Sequence, residues 1–218
     1  MSAAPLFDLH CRRCPRLASF LDEVKEKHPD YHARPVPSFG PRRPRLLIVG
    51  LAPGMHGANR TGRPFTGDYA GELLYETLYD LGLSNQPTSA HRRDPLKLLN
   101  CRITNAVKCL PPENKPVGAE VRNCNDYLGA ELAAIAPRGV ILALGGVAHG
   151  AVLKALGLKA RDVPFGHGNE HRLDDGRWLV DSYHCSRYNT QTRRLTPAMF
   201  RRVMRRARTL AKIPSKRG

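Results

Sequence analysis

Four short apolar runs, each leading into a segment with helical spacing, constrain this chain more than any other feature of its sequence. The first run, Arg45 to Gly50, precedes a helical pattern near Tyr69 to Gly82 that puts Leu74, Thr77, Leu78 and Leu81 on one face. The second, Arg102 to Val107, leads through a loop holding Pro111, Pro112 and Pro116 to a helix near Gly118 to Ala136, with Val121, Cys124, Leu128, Leu132 and Ile135 in register. The third, Val140 to Leu144, precedes a helix ending at Gly157. The fourth, Trp178 to Asp181, comes before a helix whose N-cap is Thr196 and whose first position is Pro197. Strands alternating with helices predict an α/β fold. It is a three-layer sandwich with a central parallel four-stranded sheet, right-handed crossovers and helices on both faces. Leu158 to Arg177 reads as an irregular connection with a short hairpin around Asp174-Asp175-Gly176.

A chain of 218 residues is long enough for one such domain, expected to span residues 1–218. Within it, residues 1–44 form an N-terminal segment with a short helix near Pro15 to Lys27, followed by a linker rich in proline (Pro29, Pro35, Pro37, Pro41, Pro44). No apolar stretch approaches the roughly 18–20 residues needed to cross a bilayer, and no charged-then-apolar leader precedes the first cysteines. A cytoplasmic monomer without a membrane partner is expected.

Charge points to the partner. Lys and Arg number 35 against 19 Asp and Glu, a net charge of +16, which favours a polyanion and nucleic acid first. The competing reading is an arginine-rich composition spread over solvated faces. Clustering argues against it: in the last helix Phe200, Val203, Ala207 and Leu210 make the apolar stripe, while Arg201, Arg202, Arg205, Arg206 and Arg208 fall mostly outside it with few acidic neighbours.

Six cysteines in a cytoplasmic chain suggest metal rather than disulfides. Cys11 and Cys14 form a C-x2-C pair, Cys109 follows the second run, and Cys124 stands one turn into the next helix. These four make an all-thiolate set suited to either an iron–sulfur cluster or zinc, and spacing does not choose between them. The alternative is an incidental C-x2-C with Cys124 as a buried small residue. Cys101 and Cys185 are left over, Cys101 as a core residue.

In open parallel sheets the ligand crevice lies beyond the carboxyl ends of the strands. Three polar or glycine-rich segments meet there: the loop from Gly50 to Gly71 with six glycines, Asn105 late in the second strand, and Ser182 to Thr190 after the fourth. The glycine loop has neither P-loop nor dinucleotide spacing. Within this edge Phe65, which no helix or strand would bury, either stacks on a planar ligand or packs locally. Asp68 is an N-cap, a catalytic carboxylate that stays ionised, or both. His184 is a core histidine or a functional one, with its place beyond a strand end favouring function. Asn105 offers a donor and an acceptor to a nucleobase edge, or else a strand-end hydrogen bond. Arg60 and Arg63 either clamp phosphates or solvate the loop tip.

The stretches GLAPG-x-HGANRTGRPFTGD (50–68), ITNAVKC-x-PPENKP (103–116) and HCSRYNTQT (184–192) resemble the type B, or family 5, uracil-DNA glycosylases, and the resemblance runs from Cys11 nearly to the C-terminus. It implies a structural [4Fe–4S] cluster on Cys11, Cys14, Cys109 and Cys124. It also implies a repair enzyme that hydrolyses the N-glycosidic bond of uracil, and of other deaminated bases such as hypoxanthine, in DNA. On matching positions Phe65 stacks on the flipped base, Asn105 reads its Watson–Crick edge, Asp68 positions water, and His184 stabilises charge near the base O2. Gly50, Leu51, Ala52 and Gly54 cradle the base, and the apolar Leu51 and Ala52 mark the type B group. Relatives in neighbouring families have Pro where Cys185 stands, which leaves the stiffness of the loop entering the DNA stack in question. Arg187 or Tyr188 is then the inserted side chain. The stretches are read as lacking a Schiff-base lysine, so a monofunctional hydrolase is expected. The rival from another class is a non-catalytic iron–sulfur nucleic-acid-binding protein.

Overall fold

The computed structural model describes residues 7–214, so the two ends of the expected 1–218 domain lie outside it. Its elements are α1 (Pro15–Lys27), β1 (Leu46–Gly50), α2 (Ala58–Thr61), α3 (Tyr69–Asp80), β2 (Cys101–Asn105), α4 (Gly118–Ala133), β3 (Val140–Leu144), α5 (Gly146–Leu156), β4 (Glu170–Arg172), β5 (Trp178–Ser182), α6 (Arg187–Gln191) and α7 (Pro197–Leu210). The strands lie in the order β2-β1-β3-β5-β4, parallel except for β4. The four apolar runs supply the four parallel strands. The expected sheet of four gains a fifth strand because the hairpin at residues 174–176 folds β4 back on β5 as an antiparallel edge.

The strand sequences are buried on both faces, and alternation decides which helices they meet. Leu46, Ile48, Ile103, Leu142 and Val180 pack with Leu74 and Leu78 of α3 and with Phe200 and Val203 of α7. Leu47, Val49, Ile141 and Leu179 face the other way, against Leu128 and Leu132 of α4 and Ala151 and Val152 of α5. A third cluster joins Leu17, Leu21 and Val24 of α1 to Val107, Cys109, Leu110 and Cys124.

The proline-rich segment is not a free linker. Phe39 bridges Ile103 in antiparallel fashion, and Val36 N–H donates to the Lys108 carbonyl at 2.7 Å. A segment poor in N–H donors thus covers the outer edge of β2, which would otherwise present unpaired backbone groups. Two short helices, α2 and α6, lie inside stretches that read as loop; at four and five residues they are too short for a 3.6-residue period to register.

Candidate active site

β1 is flanked by β2 on one side and β3 on the other, and the crevice of an open sheet forms where connections diverge in this way. In the β1–β2 register Gly50 pairs with Asn105 at the carboxyl end. A Cβ on Gly50 would stand 2.5 Å from Asn105 Oδ1 and 2.7 Å from Phe65 Cζ. Only glycine lets the strand end lie beneath both side chains. Gly50 therefore supports the site from below and is not in its wall.

Above it opens a cavity of about 390 Å³ whose lining includes Leu51, Ala52, Gly54, Phe65, Asp68, Asn105 and His184, with Tyr69, Asn114, Ser186 and Arg187 around them. Phe65, Asp68, Asn105 and His184, expected from three separate stretches, are thus brought together. Phe65 departs from its expected exposure: it is buried, held with φ +55° and packed into the core cluster beneath the cavity. Its ring lies nearly parallel to that of His184, at 24° and 5.8 Å between centroids.

Asn105 is 3% exposed, and its Oδ1 has no hydrogen-bond partner. Such an orphan acceptor is costly unless something supplies a donor. Asp68 caps α3, its Oδ1 accepting the Gly71 N–H at 2.9 Å. A Cβ on Gly57 would meet Asp68 Oδ2 at 2.5 Å, so this carboxylate too is seated on a glycine. Burial raises the Asp68 pKa above the usual carboxylate value against the opposing Gly71 hydrogen bond, and Glu72 adds to the rise. Burial pushes His184 down to about 4, so its imidazole is neutral near pH 7.

The loop after β5 is held despite the absence of proline at position 185. Cys185 is fully buried, its Sγ donating to the Ala70 carbonyl at 3.4 Å, and Asn189 Nδ2 donates to the His184 carbonyl at 2.8 Å. Ser186 caps α6, which presents Arg187, stacked 5.2 Å over the Tyr69 ring, and Tyr188, 70% exposed.

The two loop arginines separate. Arg60 is exposed, whereas Arg63 is a correction to the expected phosphate clamp. It is 5% exposed and spends its guanidinium on Asp94 (2.5 Å), Ser89 Oγ (3.1 Å) and the Arg92 carbonyl (2.6 Å), stacked over Phe39. The arginine ridge of α7 is likewise less free than its sequence implies. Arg201 pairs with Glu76 at 3.0 Å and Arg206 with Glu170 at 2.8 Å, both acids arriving from elements distant in sequence.

Two lysines do stand in the second stretch, contrary to the sequence expectation. Lys108 is 1% exposed and bound to Glu131 (2.9 Å) and to Thr104, and Lys115 pairs with Glu113. Neither lines the cavity. Asn114 was missed as a site residue. It stands in the quoted PPENKP stretch, at φ +57°, a conformation asparagine tolerates, and the turn at Pro112–Asn114 delivers it to the cavity.

Away from the cavity, Cys11, Cys14, Cys109 and Cys124 gather between the N-terminal segment, the end of β2 and α4. Cys109 and Cys124 share one buried cluster with Cys14 packed against it, and the Cys109 thiol is pushed up by burial and then by the thiols of Cys124, Cys11 and Cys14. Lys108 N–H approaches Cys124 Sγ at 3.5 Å and Asn123 Nδ2 approaches Cys14 Sγ at 3.4 Å, donors of the kind that favour thiolate sulfur. All are free cysteines. Among the described residues no three His, Cys, Asp or Glu side chains are drawn together as one metal ion would need. Among the same residues, no helix is long and apolar enough to cross a membrane.

The family model of the Uracil DNA glycosylase superfamily matches residues 37–208. The chain is similar to a Type-5 uracil-DNA glycosylase of Thermus thermophilus, 47% identical over 206 residues covering 92% of this chain and 94% of that protein. It is also similar to a Type-5 uracil-DNA glycosylase of Pyrobaculum aerophilum, at 45% over 203 residues, 91% of this chain and 88% of the relative. A Type-4 uracil-DNA glycosylase of Archaeoglobus fulgidus is more distant, 30% identical over 203 residues, 89% of this chain and 87% of its own length.

Proposed function

The chain belongs to the Uracil DNA glycosylase superfamily, and we propose that it hydrolyses the N-glycosidic bond of uracil in DNA, leaving an abasic site. The observation that carries this reading is the meeting of Phe65, Asp68, Asn105 and His184 around one cavity at the carboxyl edge of the sheet.

A base inside a duplex must leave the stack to be reached, at a cost of a few kcal/mol that a mispair reduces. In the cavity its ring lies against Phe65, and the unpaired Asn105 Oδ1 and its amide partner meet the base edge. Bond breaking sends the glycosidic electron pair onto the base and leaves positive charge on the sugar. Asp68, ionised, faces the sugar and takes the proton of the water that attacks the anomeric carbon. His184, neutral in its buried setting, donates a hydrogen bond to the developing base anion. Neither Lys108 nor Lys115 reaches the cavity, so water is the nucleophile and the enzyme is monofunctional. The apolar wall of Leu51 and Ala52 imposes no polar selection, which favours acceptance of hypoxanthine and other deaminated bases. Arg60, Arg187 and Tyr188 engage the DNA around the mouth.

The cysteine set fits a [4Fe–4S] cluster. Four thiols in one region, Cys109 and Cys124 buried, and Cys124 and Cys14 each receiving an N–H donor, suit the all-thiolate ligation such a cluster takes. Cys11 and Cys14 would hold it from the N-terminal segment, Cys109 from the stretch after β2 and Cys124 from α4, so that when bound it would tie these three together away from the cavity. Iron analysis and visible absorption of anaerobically purified protein test it, and Cys109→Ser should lose both signals.

The function itself is tested by incubating the protein with oligonucleotides carrying uracil or hypoxanthine and assaying free base and abasic sites. Retention of uracil-containing strands without base release would favour a non-catalytic binding protein instead.

A further inference from the structure

A second basic surface lies beside the cavity, joining Arg60 of the glycine loop to residues that no sequence pattern singled out. A groove of about 750 Å³ runs between the turn after α1, α2 and the loop at residues 90–93, lined by Asp30, His32, Arg60, His91, Arg92 and Arg93. Arg92 and Arg93 are exposed, and neither makes an ion pair among the described residues, in contrast to Arg201 and Arg206 of α7. The groove adjoins the site through Gly67, where an Arg60 guanidinium nitrogen stands 2.8 Å from the position a Cβ would occupy, one residue before Asp68.

The loop is built to hold its cations in place. The Asp94 carboxylate accepts from the N–H groups of Ala90 (3.0 Å), His91 (3.3 Å) and Leu96 (3.2 Å), and Arg63 clamps Asp94, Ser89 and the Arg92 carbonyl from inside. Arg93 N–H adds a bond to His91 Nδ1 at 3.2 Å. Loop backbone fixed before binding loses less entropy when the ligand arrives. His32, half-buried in the lining of the groove, is held below its ordinary pKa by burial against a hydrogen bond to the Pro35 carbonyl, and the positive charges of Arg92, Arg34 and Lys25 add to the fall.

We propose that this groove binds phosphodiesters of the substrate strand on one flank of the extruded nucleotide, with Arg60, Arg92 and Arg93 as the phosphate-binding side chains. The inference rests on the glycosylase reading. Arg63, expected at the DNA surface, acts instead as the buried post that positions Arg92.

The test compares the full-length protein with an Arg92→Ala/Arg93→Ala variant on a long uracil duplex across a salt series. A Lys154→Ala/Lys159→Ala variant removes the same charge from exposed residues at and beyond the far end of α5. The groove variant should show KM raised about tenfold or more with kcat little changed. Its slope of log(kcat/KM) against log[salt] should be shallower by about 1 for each phosphate that is no longer neutralised. Replacing both arginines by lysine should restore most of the slope. On substrates truncated just 5′ or just 3′ of the uracil, the defect should vanish for one truncation, which names the flank. An unchanged KM and salt slope, or an equal change in the α5 variant, overturns the proposal. Absence of uracil release by the wild-type protein on every substrate would overturn the glycosylase reading instead, and a salt-dependent anisotropy titration with the same DNA would still report on the groove.

Discussion

Asp68→Asn separates chemistry from architecture at a single atom pair. Asp68 does two jobs: Oδ1 caps α3 by accepting the Gly71 N–H at 2.9 Å, and the carboxylate lines the cavity. Asparagine is about as good an N-cap as aspartate, so the cap survives, and the lost attraction to the helix dipole is about 0.3–1 kcal/mol. Burial offsets that loss. With its pKa raised in the folded state, Asp68 binds its proton more tightly folded than unfolded, so it lowers stability as pH rises from its unfolded value through the raised one. The amide has no such dependence, and the variant should match wild type within about 1 kcal/mol at pH 7. Activity should behave differently. Loss of a positioned base or transition-state charge is typically about 10²–10⁴-fold in kcat. The assay is single-turnover uracil release at saturating enzyme, with urea unfolding and DNA anisotropy measured on the same preparation. Excision at the wild-type rate by a folded, DNA-binding Asp68→Asn protein would refute the assignment. A variant that fails only because it unfolds would refute the capping argument.

Other outcomes follow from the same geometry. Gly50→Ala drives a methyl into Asn105 Oδ1 and the Phe65 ring, and should cost about 1–3 kcal/mol in a denaturant titration together with most excision activity. Arg63→Ala leaves Asp94 buried without its cation and should destabilise by about 3–5 kcal/mol, whereas exposed Arg60→Ala should leave the unfolding midpoint in place and weaken DNA binding. His149 sits between Asp181 (2.8 Å) and the Val163 carbonyl (2.9 Å); burial opposes its charge, but the Asp181 hydrogen bond and charge outweigh it and raise its pKa. Its stabilising contribution is therefore full below about pH 6.5 and fades as pH rises through the higher folded value, a slope that His149→Gln should abolish in pH-dependent unfolding. For the pH–rate profile, the acid limb should lie above the range of an ordinary aspartate, since Asp68 must be ionised and its pKa is raised.

The sequence alone determined the parts of this protein governed by local periodicity and capping. Four apolar runs became four parallel strands, Thr196 with Pro197 and Asp68 marked two helix starts, and three stretches with a family resemblance named Phe65, Asp68, Asn105 and His184. These signals are short-range: a strand, a cap or a motif is read within a dozen or so residues. What neighbours a side chain across the chain is not. Whether an arginine faces solvent depends on which acid arrives from elsewhere, and the tertiary structure alone buries Arg63 on Asp94, neutralises Arg201 with Glu76 and leaves Arg92 and Arg93 open. It also decides that Phe65 lies beneath the cavity, that Asn114 enters it, and that the proline-rich segment closes the edge of β2. Burial and pairing are properties of three-dimensional proximity, so the charges that stay free for DNA could be counted in the sequence but located only in the fold.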